Sequence, residues 1–256
     1  MPVTRQHGIV RNEEGTPTVT DARTRKRPAA RRRPEPGADR QPVTVDRIVR
    51  AAFELIEQDG LDALSMRKLA DRLDIKAATL YWHVQDKHDL IDLLAEALFA
   101  DFPMDDLADS EDWKGNLLTF GQAFRAYLVG RRDAAKILTN RFVLGPHLLS
   151  SMERLLGWLR SSGLGDRESS YALITCLVYV HGFVLWETTP MSGAVARGET
   201  PRDYLEELRE ELEELSQESF PHTVALAEQL TGPGNDDRFA FGLTCLLDGL
   251  AAQTAR

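Results

Sequence analysis

Between Ser65 and Lys87 the chain reads Ser-Met-Arg-Lys-Leu-Ala-Asp-Arg-Leu-Asp-Ile-Lys-Ala-Ala-Thr-Leu-Tyr-Trp-His-Val-Gln-Asp-Lys. Thr79, Tyr81, Trp82 and His83 crowd a hydroxyl, two aromatic rings and an imidazole into five residues. At helical spacing, Leu80 and Val84 claim the inner side of that segment, so the four face outward or sideways. Such an edge on a short helix suits base edges and sugar-phosphate in a DNA major groove, which admits a helix. Trp82 taken alone could equally pack against a neighbouring helix; the four together are harder to place in a core.

The surrounding residues supply the elements that would hold this edge. Ser65 can accept from the free N–H groups of a first short helix. Met66, Leu69, Ala70 and Leu73 give that helix one apolar face. Asp74, Ile75 and Lys76 form the turn, with Ile75 as an apolar plug, and the second helix runs from about Ala77. A preceding helix is expected from about Thr44 to Gln58, with Ile48, Val49, Ala52, Phe53 and Ile56 on one face, between Pro42 and Gly60. A following helix starts near Asp86, carries Leu90, Ile91, Leu94 and Leu98 inward, and ends at Pro103. It joins the head to the rest of the chain.

Leu-Tyr-Trp-His-Val at 80–84, with Met-Arg-Lys-Leu-Ala at 66–70 before it and Lys87 after it, resembles the DNA-binding domain of the tetracycline-repressor (TetR) family. The likeness covers residues 43–100 and continues through Arg-Arg-Asp-Ala-Ala-Lys (131–136) and Tyr-Ala-Leu (171–173), which resemble the family's tetracycline-responsive subgroup. The resemblance implies that Arg67, Thr79, Tyr81, Trp82, His83 and Lys87 touch DNA, together with Lys76 and Ala77 at the opening of the second helix. It also implies a homodimer built by pairing two long helices with their copies. Two recognition helices would then read a palindrome about 34 Å apart. One departure stands out: Lys76, Ala77 and Ala78 replace an acid, a glutamine and a proline, so a bidentate adenine reader is missing and the operator should differ.

The rest of the chain reads as all-α. Helices are expected over Trp113–Leu128, about Arg131–Leu138, His147–Ser161, Asp166–Thr188, Pro201–Gln217 and Asp236–Gln253, separated by Pro146, the Gly163–Gly165 pair, Pro190, Pro221 and the Gly232-Pro233-Gly234 run. The organisation is a flexible Arg-rich arm (1–42), a helix-turn-helix DNA-binding domain (43–90) and a larger ligand-binding and dimerisation domain (91–256). The Asp166–Thr188 helix is apolar nearly all round and must be covered on most sides. The acidic 203–216 helix, with Leu205, Leu208, Leu212 and Leu215 on one stripe, reads as a solvated helix laid on the body. Phe120, Phe124, Phe142, Trp158, Tyr179, His181, Phe183 and Trp186 are the candidate walls of a pocket for a flat, largely apolar ligand. By the resemblance, Leu138 and approximately Val178 take the places of the subgroup's magnesium-binding histidines, which points to an aromatic or polyketide-like effector without metal.

Charge is distributed unevenly. Residues 1–42 hold 10 basic against 5 acidic side chains, residues 43–90 hold 7 against 9, and residues 91–256 hold 14 against 26. The net −9 therefore belongs to the body, and salt screening over roughly 8 Å lets a local basic region act independently of it. Arg23, Arg25, Lys26, Arg27, Arg31, Arg32 and Arg33 occur without an intervening acid. That arm could track the minor groove beside the operator, or remain a solvated tail with diffuse attraction. Cys176 and Cys245 lie in apolar helical patterns and read as buried thiols in a reducing cytoplasm. The apolar run from Tyr171 to Trp186 is short for a bilayer span, so no membrane partner is expected. No cofactor or metal is expected. An enzyme is the competing class, but no His-Glu-x-x-His, Gly-x-Ser-x-Gly, phosphate loop or Cys-x-x-Cys occurs. A helical ligand-binding dimer without DNA binding is the other alternative.

Overall fold

The computed structural model describes residues 42–107, 110–139, 145–189, 194 and 197–254. The described residues are helical without a strand, and those from Val43 onward form one compact unit. The Arg-rich arm, and with it Arg23 to Arg33, lies outside them, as does Phe142.

The first helix, α1 (Val45–Asp59), starts where Thr44 accepts the Arg47 N–H at 3.2 Å and stops at Gly60, whose φ of +84° lets the chain turn. It buries Ile48, Ala51, Ala52, Leu55 and Ile56. Two short helices follow, α2 (Met66–Arg72) and α3 (Ala77–Tyr81), then α4 (Lys87–Asp101), capped by Asp86. The α4 helix runs unbroken through residue 90 and buries Leu90, Leu94, Ala95 and Leu98.

The body is made from α5 (Trp113–Val129), α6 (Ala134–Leu138), α7 (Pro146–Ser161), α8 (Asp166–Thr188) and α12 (Asn235–Thr254). Between α8 and α12 lie α9 (Pro201–Glu213), α10 (Pro221–Ala225) and α11 (Ala227–Thr231). One hydrophobic cluster runs from Ile48 of α1 to Leu247 of α12. Each fully buried leucine in it contributes about 1.5–3 kcal/mol. Arg125 ties three body helices together: its guanidinium grips both Glu187 oxygens at 2.8 and 2.7 Å, reaches Asp236 at 2.7 Å and lies over the Phe239 ring.

Three details depart from the sequence expectations. The second helix of the head closes at Tyr81, and one tighter turn carries the chain on to Val84, with the His83 N–H donating to Leu80 O at 2.9 Å. The acidic helix packs chiefly on the short helices that follow it rather than on the long body helices: α9 meets α10 and α11 and buries no residue. Cys176 is buried as expected, but Cys245 is exposed, since it lies one turn beyond the exposed Phe241. By length and composition α8 could cross a bilayer; here it packs against α5, α6, α7 and α12. Those four neighbours leave a stripe of Tyr171, Ile174, Val178 and Trp186 exposed.

Candidate DNA-binding surface and ligand cavity

The α2–α3 pair is positioned by local signals and then locked by burial. Ser65 accepts the Lys68 N–H at 3.3 Å. Leu69, Leu80 and Val84 are wholly buried, and Ile75 is half-buried at the junction. Asp74 takes a left-handed φ of +53°, a conformation that Asp and Asn tolerate better than most residues, and the Ile75 N–H then reaches Ala70 O at 3.0 Å. Arg47 of α1 donates to Leu73 O at 3.3 Å, fixing the end of α2.

With Leu80 and Val84 turned in, the other side chains of the segment point out. Trp82 is 88% exposed and Tyr81 51%. Arg67, Lys76, Ala77, Thr79 and His83 are also exposed, and Lys87 is half-buried. All eight candidate DNA-facing residues thus keep side-chain surface open to solvent. Asp86 bounds the surface; its carboxyl lies below the usual carboxylate range because the Asp89 N–H, at 2.9 Å, stabilises the charged form.

A cavity of about 550 Å³ opens among α4, α5, α6, α7 and α8. Its walls are mostly aliphatic, from Leu148, Met152 and Leu156 of α7 and Leu173, Leu177 and Val178 of α8. Phe99, Phe124 and Leu138 add to them, and the polar groups are Arg160, Asp166, Ser169, Ser170 and His181. Of the expected pocket residues, Phe124 and His181 line it. Phe120 borders a much smaller gap beside it. The other described ones sit elsewhere, for a geometric reason. Leu173, Leu177 and His181 recur every fourth residue and share a face, whereas Tyr179, Phe183 and Trp186 lie on the other side of α8. Tyr179 donates to Phe239 O at 2.8 Å, Phe183 stacks edge-on against Phe239, and Trp186 is exposed. Trp158 is buried against Arg154. The α7 stripe Leu148–Met152–Leu156 was readable as one helix face, but aliphatic spacing does not separate a cavity wall from a filled core. Among the described residues no group of three His, Cys, Asp or Glu could hold a metal ion.

A short path of polar contacts joins the cavity to the head. His181 Nε2 lies 2.6 Å from Ala135 O. Two residues earlier, Asp133 adopts a left-handed φ of +58° and accepts the Leu61 N–H at 2.8 Å. Arg132 donates to Glu57 O and Gln58 O, both at 3.0 Å, at the end of α1. Burial raises the Asp133 carboxyl, but the Leu61 N–H, Lys136 and Arg132 outweigh it and hold the group below its ordinary range. On α4, Glu96 accepts the His147 N–H at 2.7 Å, and Tyr127 donates to Leu98 O at 2.9 Å. The end of α1 and the length of α4 are thus both fastened to helices that wall the cavity.

A head whose short second helix shows its aromatic and basic side to solvent, fixed to a body with an apolar cavity, defines a ligand-responsive transcription regulator of the helix-turn-helix class. Residues 48–94 match the domain described as bacterial regulatory proteins, tetR family, and residues 107–254 match the tetracyclin repressor-like C-terminal domain. The chain is 32% identical over 212 residues to the class A tetracycline repressor protein of transposon 1721 from Escherichia coli, covering 82% of this chain and 90% of that one. It is 30% identical over 228 residues to the transcriptional repressor DrrR1 of Streptomyces coeruleorubidus, covering 88% and 83%. Among solved structures, ActR of Streptomyces coelicolor in complex with actinorhodin superposes with a TM-score of 0.74 at 31% identity, covering 84% of this chain and all of that one. The chain belongs to the TetR family.

Proposed function

We propose that the chain is a homodimeric repressor that binds a palindromic operator and leaves it when a flat, largely apolar molecule of the polyketide class enters the cavity. The observation that carries this reading is the contrast within one short segment: Leu80 and Val84 wholly buried, Tyr81 and Trp82 widely exposed. Rings displayed at that exposure cost solvation unless something covers them, and DNA is the partner their setting fits. Arg67, Thr79, Tyr81, Trp82, His83 and Lys87 are the proposed contacts. The similarity to a TetR family protein solved with actinorhodin supports the effector class, as does a cavity of about 550 Å³, within the range of about 300–1,000 Å³ usual for small-molecule sites. Leu138 and Val178, both aliphatic, line the cavity, which suits an effector bound without metal.

The second copy is supported by the apolar stripe of Tyr171, Ile174, Val178 and Trp186 on α8, with Phe241 of α12 also exposed. Release is a shift between two packings of the body. A ligand that presses on Leu138 or draws His181 from Ala135 O moves α6, and Arg132 and Asp133 pass the movement to the end of α1. A 100-fold preference for the released form supplies about 2.7 kcal/mol. The test is a gel-shift titration of the full chain on DNA selected from a random duplex library, with and without actinorhodin. Selection of a palindrome and its release by actinorhodin support the proposal. A selected palindrome that a panel of polyketide aromatics never releases removes the effector class.

A further inference from the structure

The outward side of α3 also says which base it reads, an inference that rests on α3 being the element that faces DNA. Lys76 immediately precedes the helix, with extended backbone (φ −72°, ψ 142°) and an exposed side chain. Its carbonyl accepts the Thr79 N–H at 2.8 Å, but its exposed ammonium makes no ion pair among the described residues, so no acid competes for it. The next three outward positions are Ala77, Ala78 and Thr79. Two methyls and a short hydroxyl leave nothing to hold the backbone away from the groove floor, and nothing else there long enough to reach across it. Between Ala77 and Val84 there is no Asn or Gln; Gln85 lies past the helix, its backbone N–H held by Asp89 at 2.9 Å. The leading residues of a recognition helix are the ones that meet base edges.

We infer that Lys76 is a specificity-determining residue that selects a guanine in each half of the operator. An ammonium only donates hydrogen bonds. In the major groove guanine offers two acceptors, O6 and N7, whereas adenine pairs its N7 with an N6 donor and cytosine presents an N4 donor. A donor-only group therefore prefers guanine, whose two adjacent acceptors it can bridge, over adenine or thymine, which offer one acceptor each (N7 and O4). The alternative role of a lysine here is a phosphate contact, which carries no base preference.

The experiment selects duplexes from a random library with the full chain, then titrates the wild type, Lys76→Ala and Lys76→Gln against the selected duplex and its single-pair variants at several salt concentrations. The inference expects one G·C pair per half-site whose replacement by A·T weakens the wild type on the order of tenfold. It expects Lys76→Ala to be indifferent at that pair alone, and Lys76→Gln to prefer A·T there, since a carboxamide both donates and accepts. Thermal melts should coincide, because the side chain lies in solvent. If both variants weaken binding to every duplex by one factor and flatten the salt dependence by about one unit per subunit, Lys76 grips phosphate and the inference falls. If the variants match the wild type on every duplex, it falls as well. Failure to select any duplex overturns the DNA-binding reading itself, and this inference with it.

Discussion

Asp133 gives the sharpest test of how the head is fastened to the body. Its carboxylate receives the Leu61 N–H at 2.8 Å and the Lys136 ammonium at 2.9 Å, and its backbone sits at φ +58°. Three contributions can be separated by substitution. Removing the acceptor leaves the Leu61 N–H unpartnered, a loss of about 1–3 kcal/mol. A Cβ in the left-handed conformation costs about 1–2 kcal/mol in residues without an Asp or Asn side chain. The half-exposed pair with Lys136 contributes less, about 0–1 kcal/mol. Asp133→Asn keeps an acceptor oxygen and tolerates the backbone, so it should lose about 1 kcal/mol or less. Asp133→Ala loses the acceptor and strains the backbone, for about 2–5 kcal/mol. Asp133→Gly removes the strain but not the lost acceptor, and should fall between them. Urea denaturation at fixed protein concentration measures the order, and operator titration should follow it. If Asp133→Ala were no less stable than Asp133→Asn, the contact would not be holding Leu61, and the proposed path from α6 to the head would lose its anchor.

Trp82→Ala should leave stability within about 0.5 kcal/mol, since the ring lies in solvent, while operator affinity drops roughly tenfold or more; Leu80→Ala two residues away should cost about 2–5 kcal/mol of stability. Equal effects of the two on melting would contradict the division of α3 into inner and outer sides. Leu177→Trp, which places a ring in the middle of the cavity, should preserve operator binding and abolish release by actinorhodin; continued release would put the effector elsewhere. Burial pushes the Cys176 thiol up from 9.0 to about 11 and the Tyr127 phenol from 10.0 to about 12. The folded chain thus keeps protons that the unfolded chain sheds, so stability is full below about pH 9 and declines as pH rises beyond it. The two-unit displacement of Cys176 amounts to about 3 kcal/mol, lost in full only above pH 11. Denaturation in the Cys176→Ala variant should show a shallower decline above pH 9, and an unchanged one would refute the assignment.

The head was legible because its signals are local. Thr44, Ser65 and Asp86 each cap the helix that follows, and Leu69, Leu80 and Val84 fall at helical spacing. The early close of α3 at Tyr81 was not, since nothing in Tyr-Trp-His-Val forbids another helical turn. The cavity was half legible. α8 is apolar on nearly every face, so periodicity could not say which side met α7, and the larger rings of Tyr179, Phe183 and Trp186 drew attention to the wrong one. The contacts of Arg132 and Asp133 with α1 span more than 70 positions in sequence, beyond the reach of any local pattern. Cys245 lay in an apolar run whose exposure depends on which side of α12 the chain itself covers.

From Ala77 to Val84 every wholly buried side chain serves folding, and the rest are spared that duty. Leu80 and Val84 alone anchor the segment, so the residues around them can be exchanged like type in a fixed frame. A lineage carrying this scaffold could thus drift to new promoters by changing a handful of surface letters, with no toll on the melting point. The same partition offers an engineer a small, self-contained alphabet for rewriting its address on a genome.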